Sequence, residues 1–546
     1  MNPVLTQSSH KVISKDDMQK LISRNLFISV LAKVFNLVTR LFIPPLVLSF
    51  VSLEEYGLWA ICFVVISHLS LGAFGVSNVY VRYVASYHAT HEIEKINGLL
   101  STGIVLVTMI SLILLTGLWF FVPTLVKDIF HISPSLHNTA TVLFYGTATM
   151  FLFAISFNAF TQLLNGLQKI AETSLVWVFC LILEMILMVI FLFNGFGIFS
   201  LLYAFIIKNI VSLIIHIILS FYFVPGLSIR FKLFDRSYFK LFYRFGAIVQ
   251  LSGVLGIILQ SVDKLIASIA LDMKTTALID IGTKLPVMAN SISGSMNSVF
   301  LPAISYMHSQ QRQSEIFDLY IQGARNISLF MGFILGFLAV FSAPLTVAWL
   351  GTDDKYQIIA VIMTLFTFPR QLHALTGMGA AYFKGIEKPS RTLIYSGGRL
   401  ILVGFTALIT FTFFEVTILS IVAVIVSSTL IGAIVYIIYV NHYVGVSQIT
   451  YLTKVVFPGV IVPYGVGYLL FLLSTPWAMV AMDNRWYAVG FILISGVIYT
   501  LSTLVVIYWG VFDFQEKDRV RQKIDKMIGR ITRRFNSKGS TVQKKQ

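Results

Sequence analysis

The sequence predicts an all-α polytopic membrane protein of about fourteen transmembrane helices, and three observations predict it. The 546-residue chain is 57% hydrophobic and only 12% charged, with a mean hydropathy of +0.84, a composition outside the soluble globular range. Apolar runs of about 20 residues, enough to cross a bilayer core as a helix, recur from residue 26 to residue 510. These runs are continuous rather than alternating, which argues against an outer-membrane barrel.

The elements follow in order. Residues 1–25 are polar and the first apolar run is of full spanning length, so the start reads as a cytoplasmic N-terminal segment and not a cleavable signal. Spans then fall at 26–51, 58–80, 98–122, 139–165, 174–194, 198–224, 246–271, 276–304, 326–349, 358–382, 392–413, 417–441, 455–476 and 487–510. The connections are short, and none can fold as a domain. With the N-terminus inside, 29 of the 40 Lys and Arg lie in the tails and inner segments, and only Lys127, Lys274, Lys355 and Arg485 lie in outer loops. Cytoplasmic loops carry such an excess of Lys and Arg, and one span more or fewer would scramble it. The net charge of +16 is thus topological and calls for no nucleic acid. The basic tail, 511–546, is then cytoplasmic, a topology anchor that can also meet anionic headgroups. Cys62 and Cys180 fall inside apolar runs and read as buried apolar residues.

Polar and glycine residues repeat at an offset of 219. Asn78, Ser86 and Tyr87 match Asn297, Ser305 and Tyr306; Gly166, Lys169 and Thr173 match Gly385, Lys388 and Thr392; Gly117 matches Gly336. The chain is therefore read as an N-lobe of helices 1–6 (26–224), a C-lobe of helices 7–12 (225–441) and two additional helices (442–510). Six is an even number of crossings, so the lobes share one orientation. Parallel repeats of this kind build transporters with a substrate site between the halves.

The stretches "LSFVSLEEYGLWAICFVV", "GVSNVYVRYVASY", "NGLQKIAET", "LQSVDKLIASIAL" and "SVFLPAISYM" resemble the polysaccharide-transporter (oligosaccharide or O-antigen flippase) branch of the multidrug/oligosaccharidyl-lipid/polysaccharide (MOP) exporter superfamily. Lys169 and Lys264 stand where Arg is usual, and both keep the charge. The resemblance implies a V-shaped, MATE-like pair of lobes, here in a bacterial inner membrane with both termini cytoplasmic. It implies export of a polyprenyl-pyrophosphate-linked oligosaccharide, for O-antigen, capsule or exopolysaccharide, from the inner to the outer leaflet by alternating access. It also implies that the first two helices of each lobe line the cavity. The expected partners are the lipid-linked oligosaccharide, membrane lipids and other polysaccharide assembly proteins, around a monomer. No cofactor is expected, and a coupling ion, H+ or Na+, is left open.

Charges inside the spans carry the chemistry. The first span, "VLAKVFNLVTRLFIPPLVLSF", holds Lys33 and Arg40 seven residues apart on one face. Seven cations lie within spans (Lys33, Arg40, Lys208, Lys264, Lys284, Arg370 and Arg399) against three acids, Glu184, Asp263 and Asp280. Charges at that depth avoid lipid and face a partner or a wet cavity, and Lys or Arg can hold a pyrophosphate. The candidate substrate-binding residues are Arg40, Lys33, Lys264, Lys284 and Arg370. Each has a structural alternative. Asp280 and Lys284, at i and i+4, can neutralise each other, or Asp263 can pair with Lys284 across helices. Lys33 can snorkel. Arg40 has no acid on its own helix. Pro369 loosens the backbone beside Arg370. Lys208 and Glu184 read as a structural pair, and Arg399 as an interfacial anchor. His68, His216 and His373 read as packing residues, and "GTDDK" at 351–355 as a solvated turn.

Two further classes compete. A drug/cation antiporter of the same superfamily needs acids in its cavity, and cations predominate here. An enzyme acting on lipid-linked glycans needs a sizeable outer loop, and the longest here is "PTLVKDIFHISPSLHN", with no nucleophile–base set. A peptidoglycan-precursor flippase fits the span count but matches the family stretches less well.

Overall fold

The computed structural model describes residues 15–70, 76–514, 516–518 and 521–522. Residues 1–14 of the N-terminal segment and 523–546 of the basic tail lie outside the described residues. Every regular element described is helical. The α-helices are α1 (Lys15–Leu48), α2 (Leu53–Leu69), α3 (Val76–Ala89), α4 (Ile93–Thr124), α5 (His137–Ser156), α6 (Ala159–Gly166), α7 (Ile170–Phe193), α8 (Phe199–Phe223) and α9 (Ser237–Ala270). They continue with α10 (Met273–Ser309), α11 (Gln313–Val340), α12 (Ser342–Leu350), α13 (Gln357–Gly385), α14 (Thr392–Phe413), α15 (Ile418–Val444), α16 (Gln448–Tyr451), α17 (Phe457–Met482) and α18 (Arg485–Gly510).

Among the described residues, eleven helical stretches are long and apolar enough to cross a membrane. The expected spans 58–80, 246–271 and 276–304 are not among them. They fall on α2 with α3, on α9 and on α10. α2 is only 17 residues long, and the apolar run of the continuous helix α10 is broken by Asn290, Ser291, Ser293, Ser295 and Asn297. Length and apolarity alone mark eleven crossings; the remaining three rest on the Lys and Arg asymmetry. Two expected spans are broken helices. Span 139–165 divides into α5 and α6 at Phe157 and Asn158, and 326–349 into α11 and α12 at Phe341.

The chain divides into two compact units, Met1–Ile281 with Ser396–Ile425, and Gly282–Tyr395 with Val426–Gln546. The boundary at 281/282 differs from the repeat junction at 224/225, because α9 packs along the N-terminal helices. The rings of Tyr80 and Phe242 lie 5.6 Å apart near its N-terminal end, inside a core that includes Val79, Leu99, Leu100 and Leu163. Water supplies little drive for such packing in a bilayer; close approach and buried hydrogen bonds supply it. A Cβ on Gly57 would come within 1.8 Å of the Met273 carbonyl oxygen, so only glycine lets α2 touch α10 there. α1 runs beside α7, pinned by Arg24 to Glu172 (2.8 Å), by the Asn25 amide to the Gln168 carbonyl (3.0 Å) and by the rings of Phe50 and Phe193, 5.0 Å apart.

In the second unit, α11 meets α17 through backbone. A Cβ on Gly332 would come within 1.8 Å of the Gly459 carbonyl oxygen, and the Gln371 amide on α13 donates to that same oxygen at 2.7 Å and to Ser328 O at 3.1 Å. Arg325 on α11 pairs with Glu516 beyond α18. The Arg485 guanidinium donates to the carbonyls of Ala348 and Trp349 (3.3 and 3.1 Å) at the end of α12.

The internal repeat also appears in turn geometry. Gln168 and Glu387, 219 residues apart, both take positive φ (62° and 61°). In each case the following lysine closes the helix end, with Lys169 N–H donating to Leu164 O at 2.9 Å and Lys388 N–H to Phe383 O at 2.8 Å. Lys169 then sits 4.3 Å from the Phe223 ring centre, and Lys388 sits 5.1 Å from that of Tyr443. His91, after α3, and Gln311, after α10, repeat the same left-handed turn (60° and 58°) three helices earlier.

Candidate functional site

The intramembrane charges of the first unit form two groups. Lys33 and Arg40 are exposed on α1, flanking the stripe of Asn25, Ala32 and Thr39 that is buried. α1 and α7 are pinned at both ends, and this brings Glu184 within electrostatic reach of Arg40. Glu184 also pairs with Lys208 on α8, 3.6 Å away, and Lys208 lies 5.0 Å from the Phe205 ring centre. Arg40 thus has an acid nearby after all, supplied by a neighbouring helix and shared with a lysine. The trio keeps a net positive charge.

The second group joins α2, α9 and α10. Lys264 Nζ lies 2.7 Å from Asp280 Oδ1, and the Tyr56 hydroxyl donates to Asp280 Oδ2 at 3.3 Å. Asp263 Oδ1 accepts from the Lys264 backbone N–H at 2.9 Å, and Tyr56, Asp263 and Asp280 are all buried. The adjacent Asp263 and Lys264 are expected to point apart, with no carboxylate assigned to Lys264; the structure pairs Lys264 with Asp280. The reason is tertiary: the glycine contact at Gly57 draws these helices together.

Arg399 departs most from its expectation. Read as an interfacial anchor, it is 3% exposed on α14, and among the described residues its Nε and Nη2 have no hydrogen-bond partner. Burying guanidinium donors unmet is costly, which makes it an anion-seeking group that sequence reasoning passed over. Its position in "SGGRL" suggested a surface; only packing reveals the burial.

In the second unit, Lys284 is half-buried on α10, and Arg370 is buried on α13 with its guanidinium 5.6 Å from the Phe366 ring centre. The five proposed residues therefore divide, with Lys33, Arg40 and Lys264 in one unit and Lys284 and Arg370 in the other. His68 and His216 bond through Nδ1 to carbonyls one turn back, Val64 O and Ser212 O, each at 2.7 Å, and His373 Nδ1 bonds to the Tyr395 hydroxyl. Among the described residues, no group of His, Cys, Asp and Glu could hold a metal, and both cysteines are free and buried.

The fold is similar to those of solved membrane transporters. It matches the inward-facing structure of a multidrug resistance MATE family transporter with a TM-score of 0.62 and 18% identity over 77% of this chain and 98% of that one. It matches the lipid II flippase MurJ, inward closed, with a TM-score of 0.66 and 16% identity over 89% of this chain and 98% of that one. A MOP superfamily transporter from Pyrococcus furiosus, described as having a binding pocket of reverse polarity, gives a TM-score of 0.52 and 18% identity over 78% and 96%. No curated protein matches the chain. Residues 22–308, more than half its length, match the family described as polysaccharide biosynthesis protein. The chain belongs to that family.

Proposed function

We propose that the protein is a flippase that moves a polyprenyl-pyrophosphate-linked oligosaccharide from the inner to the outer leaflet of a bacterial cytoplasmic membrane. One observation carries this reading: cations exceed acids seven to three in the expected spans, and Arg399 is buried with unpartnered donors. An apolar passage cannot solvate a pyrophosphate. Arg supplies paired N–H donors to it and Lys a point charge, while the polyprenyl tail stays in lipid. Arg40, Lys33, Lys264, Lys284 and Arg370 contact the anionic head in this reading, and Arg399 joins them. The two repeats act as the lobes of an alternating-access cycle, in a monomer whose termini both face the cytoplasm. The MurJ-like fold is compatible with a lipid-linked cargo, and the match to a polysaccharide biosynthesis family supports a glycan as part of it.

The test is deletion of the gene in its host, with leaflet-resolved detection of the lipid-linked glycan. Glycan trapped on the inner leaflet and a depleted surface polymer are expected. Normal surface glycan with raised sensitivity to cationic drugs would replace this reading with the antiporter.

A further inference from the structure

A cavity of about 910 Å³ opens in the second unit between α12, the turn 351–356, the start of α13 and the end of α17. Its rim carries Thr352, Asp353, Asp354, Gln357 and Asp483, and Tyr356 stands beside them. Val347, Val361 and Leu365 give its lining apolar surface, the last two on its exposed side. The "GTDDK" turn expected to be merely solvated thus forms a wall of this cavity. Its turn chemistry is present as well: Asp353 accepts from the Lys355 backbone N–H at 3.2 Å and pairs with Lys355 Nζ at 2.5 Å.

A second observation points to a ligand. Thr346 on α12 lines the cavity, is 2% exposed, and its hydroxyl makes no hydrogen bond. Helical threonines in this protein usually return their hydroxyl to their own backbone, as Thr367 does to Thr364 O and Thr376 to His373 O, each at 2.7 Å. A buried hydroxyl left unmade is unfavourable, and Thr346 is therefore poised for a partner that enters the cavity.

The lining selects the chemistry of that partner. Three carboxylates and no Lys or Arg line the cavity, so it repels phosphate. Asp353 is engaged with Lys355, and Asp354 Oδ1 accepts from the Gln357 amide at 2.7 Å, which leaves no open carboxylate cage for a metal. Carboxylate, amide and hydroxyl groups beside apolar side chains and an aromatic residue suit a molecule with many hydroxyls and weakly polar C–H faces. We propose that this cavity is a saccharide-binding site that takes the uncharged sugar portion of the cargo, apart from the cationic residues that take its pyrophosphate. It deepens the flippase reading and rests on it. By the Lys and Arg asymmetry the cavity lies on the outer face, where Lys355 and Arg485 are found, so it would receive the glycan after translocation.

The experiment uses the full-length protein in lipid nanodiscs. The probe is the phosphate-free repeat-unit oligosaccharide released by mild acid from the host's own lipid-linked glycan. Saturable binding is measured by saturation-transfer NMR. Roughly millimolar affinity is expected for a few hydrogen bonds. Thr346→Val and Asp483→Asn should each weaken it roughly 3- to 10-fold, Thr346→Ser should restore it, and Gly117→Ala should leave it unchanged. Absent binding, or binding equal in wild type, Thr346→Val and Asp483→Asn, would overturn the proposal. So would tetraphenylphosphonium binding that these variants abolish while oligosaccharide binding persists, which would make the cavity a cation site. The two readings fail separately. Trapped inner-leaflet glycan in the deletion strain without Thr346-dependent binding leaves export standing and removes the cavity's role. Thr346-dependent binding with normal surface glycan in that strain does the reverse.

Discussion

Lys264 Nζ and Asp280 Oδ1 are 2.7 Å apart, and the other oxygen of that carboxylate accepts from Tyr56. One carboxylate therefore ties α9, α10 and α2. Breaking a buried pair leaves an uncompensated charge. Because Lys264 is partly exposed, Asp280→Asn is expected to lower thermal stability by about 3 kcal/mol, the low end for such pairs. The double variant Lys264→Met/Asp280→Leu should recover folded protein but not export if Lys264 also meets substrate. Full export by the double variant, normalised to inserted protein, would leave the pair a purely structural role.

Arg40 gives a charge test. Arg40→Ala should abolish export while easing insertion by roughly 2.5–3.5 kcal/mol on insertion scales. Arg40→Lys should keep part of the activity, with the charge retained and the paired donors lost, and Arg40→Glu should be inactive. Glu184→Gln, which frees Lys208 as well, should reduce the amount of protein but not export per molecule. Surface glycan per inserted molecule decides the matter; undiminished export in Arg40→Ala would remove Arg40 from the passage.

Arg399 gives a trade between stability and function. A buried guanidinium with unpartnered donors destabilises the empty protein, so Arg399→Met should raise the melting temperature, by up to about 3 kcal/mol in stability, and abolish export. A fall in melting temperature instead would show that Arg399 holds the fold together and would sink its role as an anion ligand.

Gly57 gives a packing test. Gly57→Ala forces a Cβ against the Met273 carbonyl and should lower stability by about 1–3 kcal/mol. Gly117, with nothing within 4 Å of such a Cβ, is the control; Gly117→Ala should be neutral or stabilising by up to about 1 kcal/mol. Thermal melts of both purified variants compare them directly.

Topology is tested by reporter fusions after Lys388 and after Gln546. Both should be active only with a cytoplasmic reporter. A signal from the outer side at either position would break the even-numbered reading of the spans.

The fold class, the repeat and the Glu184–Lys208 pair were legible because each rests on composition or on polar residues that are rare in an apolar background. What each helix faces was not. A helix such as α7 is apolar on every side, so hydrophobicity does not mark which face meets α1 and which meets lipid. The nearness of Glu184 to Arg40, the Asp280 partner of Lys264 and the burial of Arg399 all depend on that rotation. The breaks at Phe157 and Phe341 were missed for a related reason: uninterrupted apolarity hides a change of helix axis. The cavity at 351–356 was hidden because α12 read as the tail of a longer span.

The contact of Gly332 with Gly459 bears on how motion in this molecule can be observed. Backbone touching backbone, with Gln371 bonded across the seam, leaves α17 no slack against α11 and α13, and Arg325 clasps Glu516 further along. The last helices are therefore cargo of the second unit rather than a free appendage. A fluorophore or spin label placed just beyond α18 rides on that unit as a pointer, and its distance to a label on α1 reads the transport cycle from outside the passage, without disturbing a residue inside it.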